Sequence, residues 1–150
     1  MPEKIMKQLK NVIFEILEDM FFIFPEEENE IVLPPKLIEG NIAISGKEKI
    51  ILRFFIPKEL ARIMAENFMG EEEREISDQD IIEVIKEFVN MVGGNYLSLI
   101  DLEGKMQLGL PQVKEIDTKE VDKLAKVEKC QIEGQFFGFC VEKMEVVFDA

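Results

Sequence analysis

The first part of the chain carries apolar residues at a helical period. Between residues 3 and 22 they recur at intervals of three and four, with charged residues between them, which predicts an amphipathic helix facing a core. Pro25 and the acidic residues after it are expected to end this helix in an exposed loop. We expect the apolar end of the helix to pack into the core, with a partner-binding or membrane-touching patch as the alternative. That end consists of Met20, Phe21, Phe22 and Phe24.

Strand-like alternation appears in two parts of the chain. Residues 37–45 and 49–56 alternate apolar and polar positions around a turn at Ser45-Gly46-Lys47, which predicts an antiparallel hairpin. Three further strands are predicted near the end of the sequence, where glycines break or bend them. They cover residues 105–113, 124–133 and 135–146.

Two more helices are predicted between these groups of strands. The first covers residues 57–69, begins at a proline and is ended by a glycine. The charged residues 71–75 are expected to form a short solvated linker. Ser77 or Asp78 then caps the next helix, and Asp80 in its first turn suits the positive end of the helix dipole.

The order helix, two strands, two helices, three strands predicts an α+β fold with an antiparallel sheet packed against helices. A chain of 150 residues, 47% of them hydrophobic, is expected to form a single domain, residues 1–150, with one sizeable core. This expectation places every candidate residue on one compact scaffold.

Charge and hydropathy narrow the range of partners. With 18 basic and 31 acidic residues the net charge is −13, which disfavours nucleic acid and anionic lipid surfaces. The sequence contains neither a run of eighteen apolar residues nor a signal-peptide pattern. We therefore expect a cytoplasmic protein without a membrane partner.

The residue types also restrict the chemistry. The chain has no histidine, so the commonest general base and metal ligand is absent. Cys130 and Cys140 lack metal-binding spacing and are interpreted as buried thiols. A hairpin that turned near Gly134 would bring them close to opposite each other, which leaves a redox bridge as an alternative. We expect no metal site in this chain.

The second of the two middle helices carries the candidate site. At about 100° per residue, Glu83, Glu87, Asn90 and Gly94 fall within about 60° of one another. The carboxamide of Asn90 can orient a water molecule but is too weak a base to deprotonate it. Glu87 and Asn90 together therefore suit a reaction that depends on positioning, such as phosphoryl transfer. A merely solvated face is the alternative interpretation. The opposite face, expected in the core, carries Ile81, Val84, Ile85, Phe88 and Val92.

The stretch EVIKEFVNMVGGNYL at residues 83–97 resembles the CheC/CheX/FliY family of bacterial chemotaxis phosphatases. The family pattern is Asp or Ser, three residues, Glu, two residues, Asn, about twenty-two residues, then Pro. Glu87 and Asn90 match the central pair, and the following MVGGN is similar to the family's run. Glu83 stands where Asp or Ser is usual, and Pro111 lies two residues early.

The resemblance implies a protein phosphatase that acts on a phospho-aspartyl, CheY-type response regulator. In this role Asn90 would position the hydrolytic water and Glu87 would pair with the regulator's lysine, while Glu83, Gly94 and Pro111 would contact the partner. The Mg²⁺ would belong to the regulator, and this chain would have no cofactor of its own. A single E-x-x-N site favours the CheX branch, whose members are typically homodimers joined through their sheets.

Two other functions remain open. A noncatalytic CheX-like module would bind a response regulator or other signalling protein without accelerating hydrolysis, and the departures at Glu83 and Pro111 leave room for it. A structural or interaction protein unrelated to phosphate would be indifferent to both Glu87 and Asn90.

Overall fold

The fold alternates helices with pairs of strands. The computed structural model describes residues 3–26, 33–70, 75–124 and 126–144. The elements within these residues are α1 (Glu3–Phe21), β1 (Lys36–Ser45), β2 (Lys49–Ile56), α2 (Lys58–Met69), α3 (Asp78–Ile100), β3 (Gln107–Leu108), β4 (Gln112–Asp117), α4 (Thr118–Asp122), β5 (Glu128–Ile132) and β6 (Gln135–Met144).

The strands form one antiparallel sheet in the order β3-β1-β2-β6-β5, with β4 also paired to β1 on the β3 side. The β1–β2 hairpin is in register from Ile38 opposite Ile56 to Ser45 opposite Lys49. The predicted α+β class and the predicted hairpin are therefore confirmed.

The three long helices cover one face of this sheet, and α3 lies at the centre of the packing. The ring of Phe88 on α3 has its centroid 5.6 Å from that of Phe21, 5.5 Å from Phe54 and 6.1 Å from Phe137, each in an edge-to-face arrangement. These contacts join α3 to α1, β2 and β6, and such pairs add to the stabilisation from apolar burial. The helix that carries the candidate site is thus packed against α1 and against the middle of the sheet.

The opposite face of the sheet carries a smaller apolar cluster beneath α4. It includes Phe55 from β2, Ile116 from β4, Val121 from α4 and Phe136 from β6. The short helix α4 was not predicted, because its five residues are too few for a helical period to be recognised.

The strand predicted over residues 105–113 is divided into β3 and β4. Leu108 lies opposite Ile44 and Gln112 opposite Asn41, so four steps along one strand match three steps along the other. One residue is therefore extra, which makes the segment between the strands a β-bulge, and Gly109 donates its N–H to Ala43 O at 2.7 Å. The later prediction for 124–133 was also too long, since β5 begins at Glu128. Residues 145–146 and most of the predicted linker, 71–74, lie outside the described residues.

The end of α1 departs from the prediction. Met20, Phe22 and Phe24 are exposed by 43%, 66% and 66%, so the expectation that this apolar run packs into the core was wrong for these three side chains. Phe22 adopts φ 56°, and Ile23 donates its N–H to Leu17 O at 3.0 Å, which is the pattern of a helix ending with a left-handed residue. The reversal directs Ile23 into the core and turns Phe22 outward.

Both cysteines are buried and no disulfide joins them, and they do not face each other. Cys130 lies opposite Phe137, three residues before Cys140, so the expectation that the two lie nearly opposite was wrong. Cys130 packs in the cluster under the long helices, whereas Cys140 packs in the cluster on the other face. Burial raises the pKa of the Cys140 thiol to about 11, which keeps it protonated at neutral pH.

Candidate functional site

Helix α3 begins at a well-defined cap. Ser77 Oγ accepts a hydrogen bond from the Asp80 N–H at 3.1 Å, and Asp80 Oδ2 accepts one from the Ser77 N–H at 3.0 Å. This reciprocal pair satisfies two donors at the helix start and settles the cap on Ser77 rather than Asp78. The cap therefore fixes the residue at which the helix begins.

The apolar residues of α3 recur at the helical period, so the helix has a buried face and an exposed face, as predicted. All five residues expected in the core are buried, whereas Glu83, Glu87 and Asn90 are exposed and Gly94 is half-buried. The exposed residues follow one line along the helix, and Glu87 and Asn90 are separated by a rise of about 4.5 Å. A carboxylate and a carboxamide thus stand side by side on the surface.

These polar side chains differ in how they are held. Glu83 Oε1 accepts a hydrogen bond from Gln79 Nε2 at 2.8 Å on the same helix. Within the described part of the chain, neither Glu87 nor Asn90 has a side-chain hydrogen bond or an ion pair. By contrast, Asn95 one turn further donates to Met91 O at 2.8 Å. Glu87 and Asn90 therefore keep all their hydrogen-bonding capacity for another molecule.

The two glycines after this pair have different surroundings. A Cβ at Gly93 would come within 3.0 Å of Leu108 Cδ1 and 3.1 Å of Ile42 Cγ2, so this residue brings α3 close to β1 and β3. A Cβ at Gly94 would meet only Leu108 Cδ2, at 4.0 Å, and would otherwise point outward. Gly94 leaves a shallow gap beside Asn90, whereas the packing role of Gly93 was not anticipated.

Pro111 lies in the neighbouring bulge rather than on α3. The bulge follows Leu108, which packs against α3 at Gly93 and Gly94. Pro111 is half-buried, and Leu110 before it is 85% exposed. The structure therefore brings Glu83, Glu87, Asn90 and Gly94 together on one face and places Pro111 on an adjacent segment. Leu110 is a candidate contact that the sequence did not reveal, because exposure of a single leucine leaves no periodic signal.

The described residues contain neither a metal-binding cluster nor a membrane-spanning helix. No group of three or more Cys, Asp or Glu side chains in these segments is arranged to hold a metal ion. None of the helices found there is long and apolar enough to cross a membrane.

The architecture places the chain in the class of CheC-like and CheX-like α+β proteins. The sequence model of the family described as "Chemotaxis phosphatase CheX" matches residues 38–133, a segment that contains the sheet's first hairpin and all of α3. The chain belongs to the CheX family. No match was found among curated proteins at the sequence level.

Solved structures share this fold. A chemotaxis protein CheX from Desulfovibrio desulfuricans is 18% identical, with a TM-score of 0.68, 93% of this chain covered and 99% of the other. A CheC-like superfamily protein from Shewanella sp. PV-4 is 17% identical, with a TM-score of 0.68 and coverages of 95% and 99%. The Borrelia burgdorferi structure of a CheX–CheY–BeF₃–Mg²⁺ complex matches at 14% identity, a TM-score of 0.65 and coverages of 93% and 97%.

Proposed function

We propose that this protein is a phosphatase that hydrolyses the aspartyl phosphate of a CheY-type response regulator in chemotaxis signalling. The observation that carries the proposal is the exposed pair Glu87 and Asn90, which have no intramolecular partner within the described residues and stand on a helix with a buried aromatic anchor. Membership of the CheX family and the fold shared with a CheX that was solved in complex with CheY support this partner class.

In the proposed reaction, α3 lies against the regulator's phosphorylation site. Water attacks the phosphorus atom, the bond from phosphorus to the aspartyl oxygen breaks, and inorganic phosphate and the free carboxylate are released. The carboxamide of Asn90 hydrogen-bonds the attacking water and holds it in line with the leaving oxygen. Because the amide cannot take the proton as a base, its contribution is orientation.

Glu87 serves the approach of the two proteins. Its carboxylate pairs with a lysine beside the regulator's phosphoryl group, which fixes the register of α3 and therefore the position of Asn90. The Mg²⁺ that neutralises the phosphoryl oxygens belongs to the regulator. Gly94 allows the regulator's surface to approach the helix, and Glu83 and Pro111 lie at the edges of the contact.

The proposal also includes the oligomeric state of the protein and its location in the cell. We expect a homodimer joined through the sheets, which light scattering across a range of protein concentrations tests directly. We also expect the protein to act in the cytoplasm, where phosphorylated response regulators act.

The test is the decay of a phosphorylated CheY-type regulator in Mg²⁺ buffer, followed by release of inorganic phosphate. Wild-type protein should accelerate the decay, and Asn90→Ala should lose about 10²-fold or more of that acceleration, as is typical when one preorganised hydrogen-bonding group is removed. Asn95→Ala is the matched control, because Asn95 is an exposed asparagine on the same helix whose side chain bonds the backbone of Met91. It should retain activity.

Glu87 is tested by binding as well as rate. Glu87→Lys should weaken binding to the regulator held in its BeF₃⁻ and Mg²⁺ form, and Glu18→Lys on the exposed face of α1 should not. Decay that is equal with and without wild-type protein, for regulators that bind it, would contradict the phosphatase function.

A noncatalytic CheX-like binding module is the second candidate. It is favoured by Glu83, which occupies a position where the family has Asp or Ser and which is already hydrogen-bonded to Gln79. This function predicts binding of the BeF₃⁻ form of the regulator together with unchanged decay of its phosphorylated form.

A further inference from the structure

A groove on the other side of the molecule combines an open strand edge with a concentration of lysines. It has a volume of about 830 Å³ and lies between the first half of α1 and β6. None of its lining residues comes from α3, so the groove is separate from the Glu87–Asn90 face. We refer to it as the α1–β6 groove.

The groove exists because β5 is shorter than β6. The β5–β6 pairing ends with Glu128 opposite Phe139, whereas the pairing of β6 with β2 continues to Met144 opposite Lys49. Lys126, with φ 60°, turns the chain just before β5 begins. Among the described residues, the outer edge of β6 beyond Phe139 therefore has no strand beside it. Alternate backbone N–H and C=O groups of residues 140–144 point to this open edge.

The side chains of the groove are cationic at the rim and apolar within. Lys7 and Lys10 come from α1, Lys126 from the turn before β5, and Lys143 from β6. Met6, Phe139 and Val141 supply apolar surface between them. Two carboxylates also line the groove, Glu128 and Glu142, but Glu142 is bound to Arg53 at 2.7 Å.

The positive charge of the groove is unusual in such an acidic chain. The chain has a net charge of −13, yet four of its 18 basic residues converge on one groove. Lys143 has an exposed pair with Glu48 at 3.0 Å, and Lys10 lies 5.5 Å from the Phe14 ring centroid. Two copies of the groove brought together by a two-fold axis would oppose lysine to lysine, which disfavours a second copy as the occupant.

We infer that the α1–β6 groove is a docking site for an extended, acidic segment of a partner protein that adds a strand to the open edge of β6. Backbone hydrogen bonds to residues 140–144 provide the pairing, and acidic side chains of the segment meet the four lysines. Phe139, Val141 and Lys143 lie on the face of β6 that is turned to α1. Because side chains alternate along a strand, the acidic residues of the segment lie on that same face, and its apolar residues lie on the opposite face beside Cys140. The segment therefore alternates acidic and apolar residues.

The probe is a short fluorescent peptide that alternates aspartate and valine, titrated into the full-length chain and followed by anisotropy. Lys7→Glu/Lys126→Glu should weaken its binding about 10-fold, as expected for two partly exposed charge contacts that become repulsive. The matched control is Lys119→Glu/Lys123→Glu, on α4 and at its C-cap, which makes the same charge change on the helix that covers the opposite face of the sheet. This control should bind within about twofold of wild type.

Two further measurements separate strand addition from charge attraction. Two peptides, one N-methylated at every valine and the other at every aspartate, keep the charge and each lack half of the donors, and the one that lacks the donors facing β6 should not bind. Hydrogen exchange of the amides of residues 140–144 should slow when the aspartate–valine peptide is present. Circular dichroism checks that each variant retains its fold.

Several outcomes would overturn the inference. Equal loss of affinity in the two double variants would show nonspecific charge attraction, and absence of peptide binding at millimolar concentration would show that the groove takes no such strand. A dimer of wild type that dissociates in Lys7→Glu/Lys126→Glu would identify a second copy as the occupant. None of these outcomes depends on phosphatase activity, which is tested separately with the Asn90→Ala variant.

Discussion

Gly40 on β1 lies directly beneath Val89 on α3, so close that a Cβ atom at position 40 would come within 2.7 Å of Val89 Cγ2 and 3.1 Å of Ile85 Cγ2. Both neighbours are β-branched side chains with restricted rotamers in a helix. Val89 is also the residue before Asn90. The absence of a side chain at one strand position therefore sets how closely the helix of the candidate site approaches the sheet.

Gly40→Ala should lower the free energy of unfolding by about 1–3 kcal/mol, because the added methyl overpacks a rigid contact. Val89→Ala in the same chain removes the atom that clashes, so the double variant should be more stable than the sum of the two single effects implies. Urea denaturation of the four proteins measures this coupling. Strictly additive effects would mean that α3 does not rest on Gly40.

Gly94→Ala should separate stability from function. The new methyl meets only Leu108 Cδ2 at 4.0 Å, and alanine is the better helix former, so the free energy of unfolding should rise by about 0.5–1 kcal/mol. If the regulator lies against this face, the same methyl should weaken its binding. Thermal denaturation and titration with the BeF₃⁻ form of the regulator measure the two effects. Unchanged regulator binding in a stabilised variant would remove Gly94 from the proposed contact.

The parts of the fold that the sequence predicts well are those in which many residues repeat one signal. Eight paired positions of the β1–β2 hairpin carry the alternation, and the 23 residues of α3 carry both a helical period and a cap at Ser77. The face shared by Glu87 and Asn90 follows from that period alone. Their freedom from intramolecular bonds does not, because it depends on the rotamers of neighbours such as Gln79.

The parts that the sequence misses depend on single residues or on register. The outward turn of Phe22 rests on one left-handed backbone conformation, and the bulge before β4 rests on one extra residue near Gly109. The separation of Cys130 from Cys140 depends on which residues of β5 and β6 are opposite, information that two adjacent alternating strands do not contain. The α1–β6 groove depends on where β5 begins.

The buried carboxylate of Glu39 is stabilised by a network on the α4 side of the sheet. Glu39 is 1% exposed and accepts hydrogen bonds from Arg53, whose Nε lies 3.1 Å from Oε1, and from Asn41 at 2.7 Å. Burial by itself would lower the pKa of Arg53, but the hydrogen bonds and charges of Glu39 and Glu142 outweigh it and raise that pKa. Removal of either Glu39 or Arg53 would therefore leave the other without its main ion-pair partner.

Arg53→Met should lower the free energy of unfolding by about 3 kcal/mol, because it leaves the buried Glu39 carboxylate with only Asn41 and the more distant Lys114, at 3.9 Å, as partners. Glu39→Gln in the same chain removes that charge, so the double variant should recover part of the loss. The exposed pair Lys36 and Glu115 provides the control, since Lys36→Met should change stability little. Equal effects of Arg53→Met and Lys36→Met would show that water reaches Glu39 readily.

Tyr96 on α3 gives a prediction for alkaline pH. Its side chain is fully buried, its hydroxyl has no hydrogen-bond partner within the described residues, and burial raises its pKa from 10.0 to about 12. Between pH 10 and 12 the unfolded chain therefore loses the Tyr96 proton while the folded chain keeps it, so this residue lowers stability as pH rises through that window.

Tyr96→Phe removes both the unpaired hydroxyl and the titration. It should raise the free energy of unfolding by about 1 kcal/mol at neutral pH and reduce its decline above pH 10. Urea denaturation at pH 7 and at pH 11 tests both parts, and a loss of stability in Tyr96→Phe at pH 7 would mean that the hydroxyl is hydrogen-bonded in solution.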